Sequence, residues 1–131
     1  FGSVGSYGEG TIEINGGSFT ANGSKGKTHH CVYVGSATDL VINDGIFAHN
    51  GAGISDSGAT ITVYAGANGG ATINGGTFAG DHADVYDWGG TNSNGRGVAY
   101  SINGGTFKFK PSKVAEGHAA TQNGDGTWTV E

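Results

Sequence analysis

Apolar and polar residues alternate in short segments along the chain, as in residues 11–14 and 39–42. A period of two is typical of β-strands, because successive side chains point to opposite faces of the sheet. We expect the aliphatic face of each segment to lie in the core. The apolar runs fall far short of the roughly 20 residues that a transmembrane helix requires. The pattern therefore predicts strands and no membrane insertion.

A six-residue repeat, Ile-Asn-Gly-Gly-Thr-Phe with small variations, occurs at residues 14–19, 42–47, 73–78 and 102–107. A period of roughly thirty residues indicates stacked supersecondary units. Stacking would place equivalent residues in columns, with isoleucine and phenylalanine inside and asparagine in the turn. The predicted structural ladder comprises Ile14, Ile42, Ile73 and Ile102, then Phe19, Phe47, Phe78 and Phe107, then Asn15, Asn43, Asn74 and Asn103.

The repeat predicts an all-β fold, specifically a parallel β-helix (β-solenoid) of about four coils. One coil cannot bury its own faces, whereas stacked coils hydrogen-bond to both neighbours and share a core. We expect residues 11–107 to form the coils and residues 1–10, which do not match the repeat, to be an N-terminal linker or remnant. Residues 108–131 are predicted to be a C-terminal cap, with a helical turn over 111–117 and a hairpin around 123–126.

Composition excludes several classes of protein. Glycine accounts for 28 of the 131 residues, and each glycine in a helix interior costs about 1 kcal/mol relative to alanine. Long helices are therefore not expected. The net charge of −5 leaves no basic stripe for a phosphate backbone, so nucleic acid is not an expected partner. The single cysteine, Cys31, precedes an apolar strand and is predicted to be a small buried thiol.

A second motif, valine followed by tyrosine, recurs at residues 32–33, 63–64 and 85–86. If the valines face the core, the aromatic residues form an outward ladder along the coils, suited to sugars or partner subunits. The opposite register, with tyrosines inside and valines outside, stays open, because four residues do not settle strand register. The tentative ligand-binding residues are Tyr33, Tyr64, Tyr86 and Trp88.

The intact repeats at 73–78 and 102–107 resemble those of parallel β-helix proteins on gut bacterial surfaces and in phages that infect such bacteria. The closing segments 111–117 and 123–130 are similar to the tail that often ends these proteins. The resemblance covers about residues 11–131. The families concerned include adhesins, phage fibre or capsid-decoration proteins and uncharacterised surface proteins. It implies an extracellular location, on a cell or virion surface, and a protomer of a symmetric fibre or trimer.

Parallel β-helices also host polysaccharide lyases and hydrolases, which use clustered carboxylates, a metal or a basic residue. The best cluster here comprises Asp81, His82, Asp84 and Asp87, followed by Arg96, the only arginine. Asp81, His82 and Asp84 are weak metal-ligand candidates, since carboxylate and imidazole groups bind metals. The alternative is a solvated loop of ordinary turn composition. We favour the loop and predict no catalytic residue, no metal and no cofactor.

These observations lead us to expect a non-enzymatic structural and adhesive surface module. It would be a virion fibre or decoration protein or a bacterial surface adhesin, with a capacity to bind glycans. The expected partners are further copies of the chain, in a fibre or trimer, and a surface glycan. The alternative is a carbohydrate-active enzyme, a polysaccharide lyase or hydrolase, on the same fold.

Overall fold

The computed structural model describes residues 2–6, 8–22, 30–35, 38–50, 59–64, 70–80, 83–88 and 99–131. Within these ranges the chain is all-β and contains no helix, which confirms the predicted fold class at that level. It follows that these ranges hold no helix long and apolar enough to cross a membrane. The strands are β1 (Gly2–Ser6), β2 (Gly10–Ala21), β3 (His30–Val34), β4 (Thr38–His49), β5 (Ala59–Tyr64), β6 (Gly70–Ile73), β7 (Thr77–Ala79), β8 (Ala83–Trp88), β9 (Ala99–Ile102), β10 (Gly105–Phe107), β11 (Ala120–Gln122) and β12 (Trp128–Val130).

The strands form two sheets. The first has the order β1-β3-β5-β8, and all of its pairs are parallel. The second sheet contains the repeat strands, with β4 paired to β2, β6 and β7, then β6 to β9 and β7 to β10, all parallel. Its last strands, β12 and β11, are antiparallel, so this sheet is mixed.

Strand register aligns equivalent residues of the repeat. Ile14 pairs with Ile42, Ile42 with Ile73 and Ile73 with Ile102, and the phenylalanines align in the same way. The isoleucines are 7% exposed at Ile14 and 0% at the other three positions. Alternation along each strand thus places one aliphatic residue of every repeat in the core.

The phenylalanine rings form a continuous stack. Ring centroids are 5.0 Å apart between Phe19 and Phe47, 5.0 Å between Phe47 and Phe78, and 4.8 Å between Phe78 and Phe107. Neighbouring rings lie within 8° of parallel, and centroid distances of about 4.5–7 Å are favourable for aromatic pairs. Phe47, Phe78 and Phe107 are buried, whereas Phe19, at the end of the stack, is partly exposed.

The asparagines form a hydrogen-bonded ladder on the outer surface. Each side-chain amide nitrogen donates to the side-chain oxygen of the preceding asparagine: Asn43 to Asn15 at 2.7 Å, Asn74 to Asn43 at 2.8 Å, and Asn103 to Asn74 at 2.9 Å. An amide carries both donors and an acceptor, so one residue type can continue the ladder without a break.

Glycine in the repeat permits close backbone approach between successive repeat segments. A Cβ atom on Gly75 would lie 2.6 Å from the carbonyl oxygen of Asn43, and one on Gly104 would likewise collide with the carbonyl oxygen of Asn74. Gly105 also has a φ of +117°, a region that other residues rarely adopt. Positions 75 and 104 therefore need glycine for steric reasons, whereas the second repeat has Asp44 at the equivalent position.

The predicted helical turn over residues 111–117 is wrong. The segment is extended at Val114, which forms a parallel bridge with Ile102. The Ile102 amide donates to the Lys113 carbonyl at 3.1 Å, and the Ala115 amide donates to the Ile102 carbonyl at 2.9 Å. An extended segment satisfies the free edge of the last repeat strand, whereas one helical turn would leave it unpaired and carry an unfavourable nucleation cost.

The predicted hairpin is confirmed. Strands β11 and β12 pair antiparallel around the turn at 123–127, and β12 also pairs antiparallel with β10. Val130 is 3% exposed, and Trp128 packs against the core. The hairpin therefore pairs with the last repeat strand, while its role as a cap stays a prediction.

Residues 1–10 were expected to be a linker or remnant, but they contain β1. Val4 of this strand is aligned with Val32 of β3 in parallel register. The Thr38 hydroxyl group lies 2.9 Å from the Ser6 hydroxyl and donates to the Gly8 carbonyl at 2.5 Å. Residues 2–6 therefore belong to the first sheet, while the boundaries of the domain stay a prediction.

Replacing Phe78, in the interior of the ring stack, by alanine should lower the free energy of unfolding by about 3–5 kcal/mol, because the change leaves a cavity between two rings. Phe19→Ala is the matched control and should cost only about 1–2 kcal/mol, since that ring is partly exposed. Urea denaturation followed by far-UV circular dichroism measures both. Equal losses for the two variants would contradict the stack described above.

Gly75→Ala should destabilise the fold by about 1–3 kcal/mol through its clash with the Asn43 carbonyl oxygen. Gly124→Ala provides the control, because a Cβ there meets no atom within 4 Å. The same denaturation experiment compares them. A Gly75→Ala variant as stable as Gly124→Ala would show that successive turns do not approach as closely as described.

Candidate functional site

Strand β3 presents a partly exposed aromatic residue between two buried valines. Val32 and Val34 are 0% exposed, and Tyr33 between them is partly exposed. The Tyr33 ring centroid lies 6.0 Å from that of the buried His30, with 27° between the ring planes. In this strand both valines are buried and the tyrosine is partly exposed, which favours the first of the two predicted registers, while the outward ladder stays a prediction.

The aromatic positions do not align in one column. Tyr33 pairs with Thr62, and Thr62 pairs with Tyr86, whereas Tyr64 pairs with Trp88. The expected alignment of Val63-Tyr64 with Val32-Tyr33 is therefore displaced by two residues. A shift of two residues keeps the same face of the sheet but moves a side chain by about 6–7 Å along the strand.

The corrected register gives two short columns on one face of the first sheet, one at Tyr33, Thr62 and Tyr86 and one at Tyr64 and Trp88. The side chains of Thr62, Tyr64, Tyr86 and Trp88 lie outside the described part of the chain. The backbone register therefore places the four predicted ligand-binding residues at neighbouring positions on one face of the sheet. Their binding role stays a prediction.

Asp84, one of the predicted metal-ligand candidates, is a buried structural carboxylate. Its side chain is 3% exposed. One carboxylate oxygen accepts the Gly80 amide at 2.5 Å, and the other accepts the Phe109 amide at 2.7 Å. Its main-chain carbonyl accepts the Thr60 hydroxyl at 2.5 Å. The side chain thus joins the segments that follow β7 and β10, and both oxygens have protein partners.

Burial raises the pKa of Asp84 above the ordinary value of an aspartate, because desolvation disfavours the charged form. The backbone hydrogen bonds from Phe109 and Gly80 act in the opposite direction and only partly offset the desolvation. Lys108, whose amine donates to the Gly80 carbonyl at 3.1 Å, further favours the charged form. The net effect is a carboxyl group that binds its proton more tightly in the folded state.

The other members of the predicted cluster cannot be added to Asp84. Asp81, His82 and Arg96, and the side chain of Asp87, lie outside the described residues. Among the residues that are described, no three His, Cys, Asp or Glu side chains come close enough to hold a metal ion. The predicted metal set is therefore represented only by Asp84.

A small cavity lies beside Asp84, between β8 and the segment that follows β10. Its volume is about 50 Å³, and Phe107, Phe109 and Lys110 contribute to its lining. Ligand pockets for small molecules are typically about 300–1,000 Å³. This cavity has room for water but not for a sugar ring.

The thiol of Cys31 is a buried group with a hydrogen-bond partner in the protein. Cys31 is fully buried, as predicted, and its thiol donates to the Ala48 carbonyl at 3.0 Å. Burial raises the pKa of this thiol, which makes it a poor nucleophile.

His49 is 6% exposed, and neither ring nitrogen has a hydrogen-bond partner among the described residues. Sequence reasoning missed His49, although its position two residues after Phe47 places it on the inward face.

Comparison of the chain with protein-family models, with curated proteins and with solved structures gave no match.

The raised pKa of Asp84 predicts a specific pH dependence of stability. An acid that holds its proton more tightly in the folded state stabilises the fold below its unfolded pKa and loses that contribution as the pH rises through the folded pKa. We expect the difference in unfolding free energy between the wild type and Asp84→Asn to be largest at a pH below the ordinary pKa of an aspartate. It should decrease as the pH rises, as measured by urea denaturation across a pH series.

Asp125→Asn is the matched control. Asp125 is fully exposed, and hydrogen bonds from the Thr127 side chain and amide lower its pKa. Its contribution should therefore be present above the ordinary pKa of aspartate and be lost as the pH falls, opposite in sign to that of Asp84. If both variants changed the pH profile in the same direction, the assignment of the Asp84 effect to burial would be wrong.

Proposed function

We propose that the chain is a non-enzymatic structural and adhesive module, built as a β-solenoid of about four coils. The observation that carries this proposal is the parallel, in-register pairing of equivalent repeat residues, Ile14 to Ile42 to Ile73 to Ile102. Strands that alternate between two sheets and pair in chain order support a coiled path. The chain order is β1-β3-β5-β8 in the first sheet and β2-β4-β6-β9 in the second.

The use of the side chains supports a structural role. The isoleucines fill the core, the phenylalanine rings stack on one another, and the asparagines bond to one another. In the interior of the stack, each of these side chains makes its contacts with the equivalent residues of the neighbouring repeats. Such a stack supplies a stiff scaffold, because every interior turn contacts both of its neighbours.

We propose that the chain is not catalytic because the reactive side chains of Asp84 and Cys31 are buried and already hydrogen-bonded within the protein. Both oxygens of Asp84 accept backbone amides, and the thiol of Cys31 is buried and bonded to a carbonyl. General acid–base catalysis needs a group that can reach the proton of a bound substrate. Neither group has that access, and the cavity beside Asp84 is smaller than a sugar.

The adhesive part of the proposal is based on the outer face of the first sheet. Tyr33 is partly exposed there, and the backbone positions of Thr62, Tyr64, Tyr86 and Trp88 lie on the same face as Tyr33. Aromatic side chains supply rigid, amphipathic contact area at low entropic cost. We propose a surface glycan as the ligand and an extracellular location, on a bacterial or virion surface.

Incubation with host-surface polysaccharides should produce no new reducing or unsaturated ends. Binding of the same polysaccharides, measured by isothermal titration calorimetry, should weaken about tenfold in Tyr33→Ala, equivalent to about 1.4 kcal/mol. The free energy of unfolding should fall by about 1–2 kcal/mol, as for Phe19→Ala, because Tyr33 is likewise partly exposed, and the variant should stay folded.

Thr77→Ala, an exposed change on the second sheet, is the control and should bind as the wild type does. Reproducible turnover would overturn the non-enzymatic proposal and favour the lyase or hydrolase alternative. Unchanged binding in Tyr33→Ala would move the adhesive surface elsewhere on the molecule.

A further inference from the structure

The two ends of the repeat stack differ. At one end, β12 pairs with β10 and Val114 bridges Ile102, so the outer edge of the last repeat is occupied. At the other end, β2 pairs with β4, and within the described ranges no strand pairs with its second edge. The first sheet has two edge strands in the described ranges, β1, whose partner is β3, and β8, whose partner is β5, so the difference between the ends concerns the repeat strands.

The open edge has the features of an interaction surface. Strand β2 is 12 residues long, and long edge strands offer a row of backbone groups to another chain. Proteins usually protect such edges with lysine, proline or short length. In β2 the only charged residue is Glu13, and there is no proline. The pairing of β2 with β4 is irregular between residues 14 and 18, so a corner at Gly16–Gly17 divides β2 into two arms.

Apolar side chains are also incompletely covered at this edge. Val4, Ile12 and Phe19 pack against the core but are only partly buried. The Phe47 and Phe78 rings each stack on two neighbouring phenylalanines, whereas Phe19 stacks on Phe47 alone among the described phenylalanines. A further layer of strand would bury these groups and gain the apolar free energy that the interior repeats already have.

The arrangement of residues along β2 is symmetric about the Gly16–Gly17 corner. The inward residues are Ile12, Ile14, Phe19 and Ala21, which lie at equal distances on either side of that corner. In an antiparallel pair of two β2 strands centred there, Ile14 faces Phe19 and Ile12 faces Ala21. The outward residues also match, because Glu13 faces Thr20 of the other copy rather than a second glutamate.

We propose that two copies of the chain pair head to head through β2, antiparallel, about a twofold axis at the Gly16–Gly17 corner. A head-to-tail contact would instead meet the β11–β12 hairpin, which already occupies β10. The isologous pair closes the open β2 edge of both copies and leaves the two hairpins at its outer ends. This inference rests on the proposed stacked architecture and names the partner of its open end.

Sedimentation velocity over a concentration series tests the dimer with two opposite changes at one exposed position. Thr20→Glu places a carboxylate opposite Glu13 of the other copy, twice per dimer, and Thr20→Lys places an amine there. With a cross-strand charge pair worth about 0.5 kcal/mol, the dissociation constant should rise about fivefold in Thr20→Glu and fall about fivefold in Thr20→Lys. Thr77→Glu, on an interior strand, should not change it.

A wild-type chain that sediments as a 13.1 kDa monomer at every concentration would overturn the dimer. Equal weakening by Thr20→Glu and Thr20→Lys would overturn the antiparallel register, as would an effect of Thr77→Glu of the same size. Species larger than a dimer that grow with concentration would show open rather than closed association. Circular dichroism of each variant separates loss of pairing from loss of fold, so a folded monomer would leave the proposed structural and adhesive role intact.

Discussion

The parallel register between successive repeats is the constraint on which the rest of the structure depends. Hydrogen-bonded strands lie about 4.7–4.9 Å apart, and the phenylalanine rings of successive repeats are 4.8–5.0 Å apart. The same spacing lets each asparagine amide reach the next at 2.7–2.9 Å. One backbone distance therefore produces the aromatic stack, the amide ladder and the requirement for glycine where turns approach.

A stack of this kind solves burial in its interior and creates a problem at its ends. Each interior strand has a neighbour on both sides, whereas a terminal strand exposes backbone groups and half of its core. At the C-terminal end the chain uses an extended segment at Val114 and a hairpin, both paired to the last repeat. At β2, by contrast, the proposed partner is a second copy of the same strand. It would cover the unpaired edge and the Phe19 ring, and it matches the symmetric apolar pattern.

The polar residues divide into those that support the stack and those available outside it. The two carboxylate oxygens of Asp84 accept hydrogen bonds from the Gly80 and Phe109 amides, and the side chain so joins β8 to the segments after β7 and β10. A carboxyl group held in this way fixes the local backbone geometry. Tyr33 of β3, by contrast, is partly exposed, and the proposed binding role is based on it.

The sequence by itself determined the all-β class, the columns of isoleucine, phenylalanine and asparagine, and the closing hairpin, because these follow from local alternation, a repeated motif and turn residues. Only the tertiary structure decided the two-residue displacement of Val63-Tyr64, the pairing of β1, the extended conformation at Val114 and the amide partners of Asp84. Alternation specifies which face a residue occupies, but it is unchanged by a shift of two residues. The partner of a strand edge or a buried carboxylate depends on segments distant in the chain, which only folding brings together.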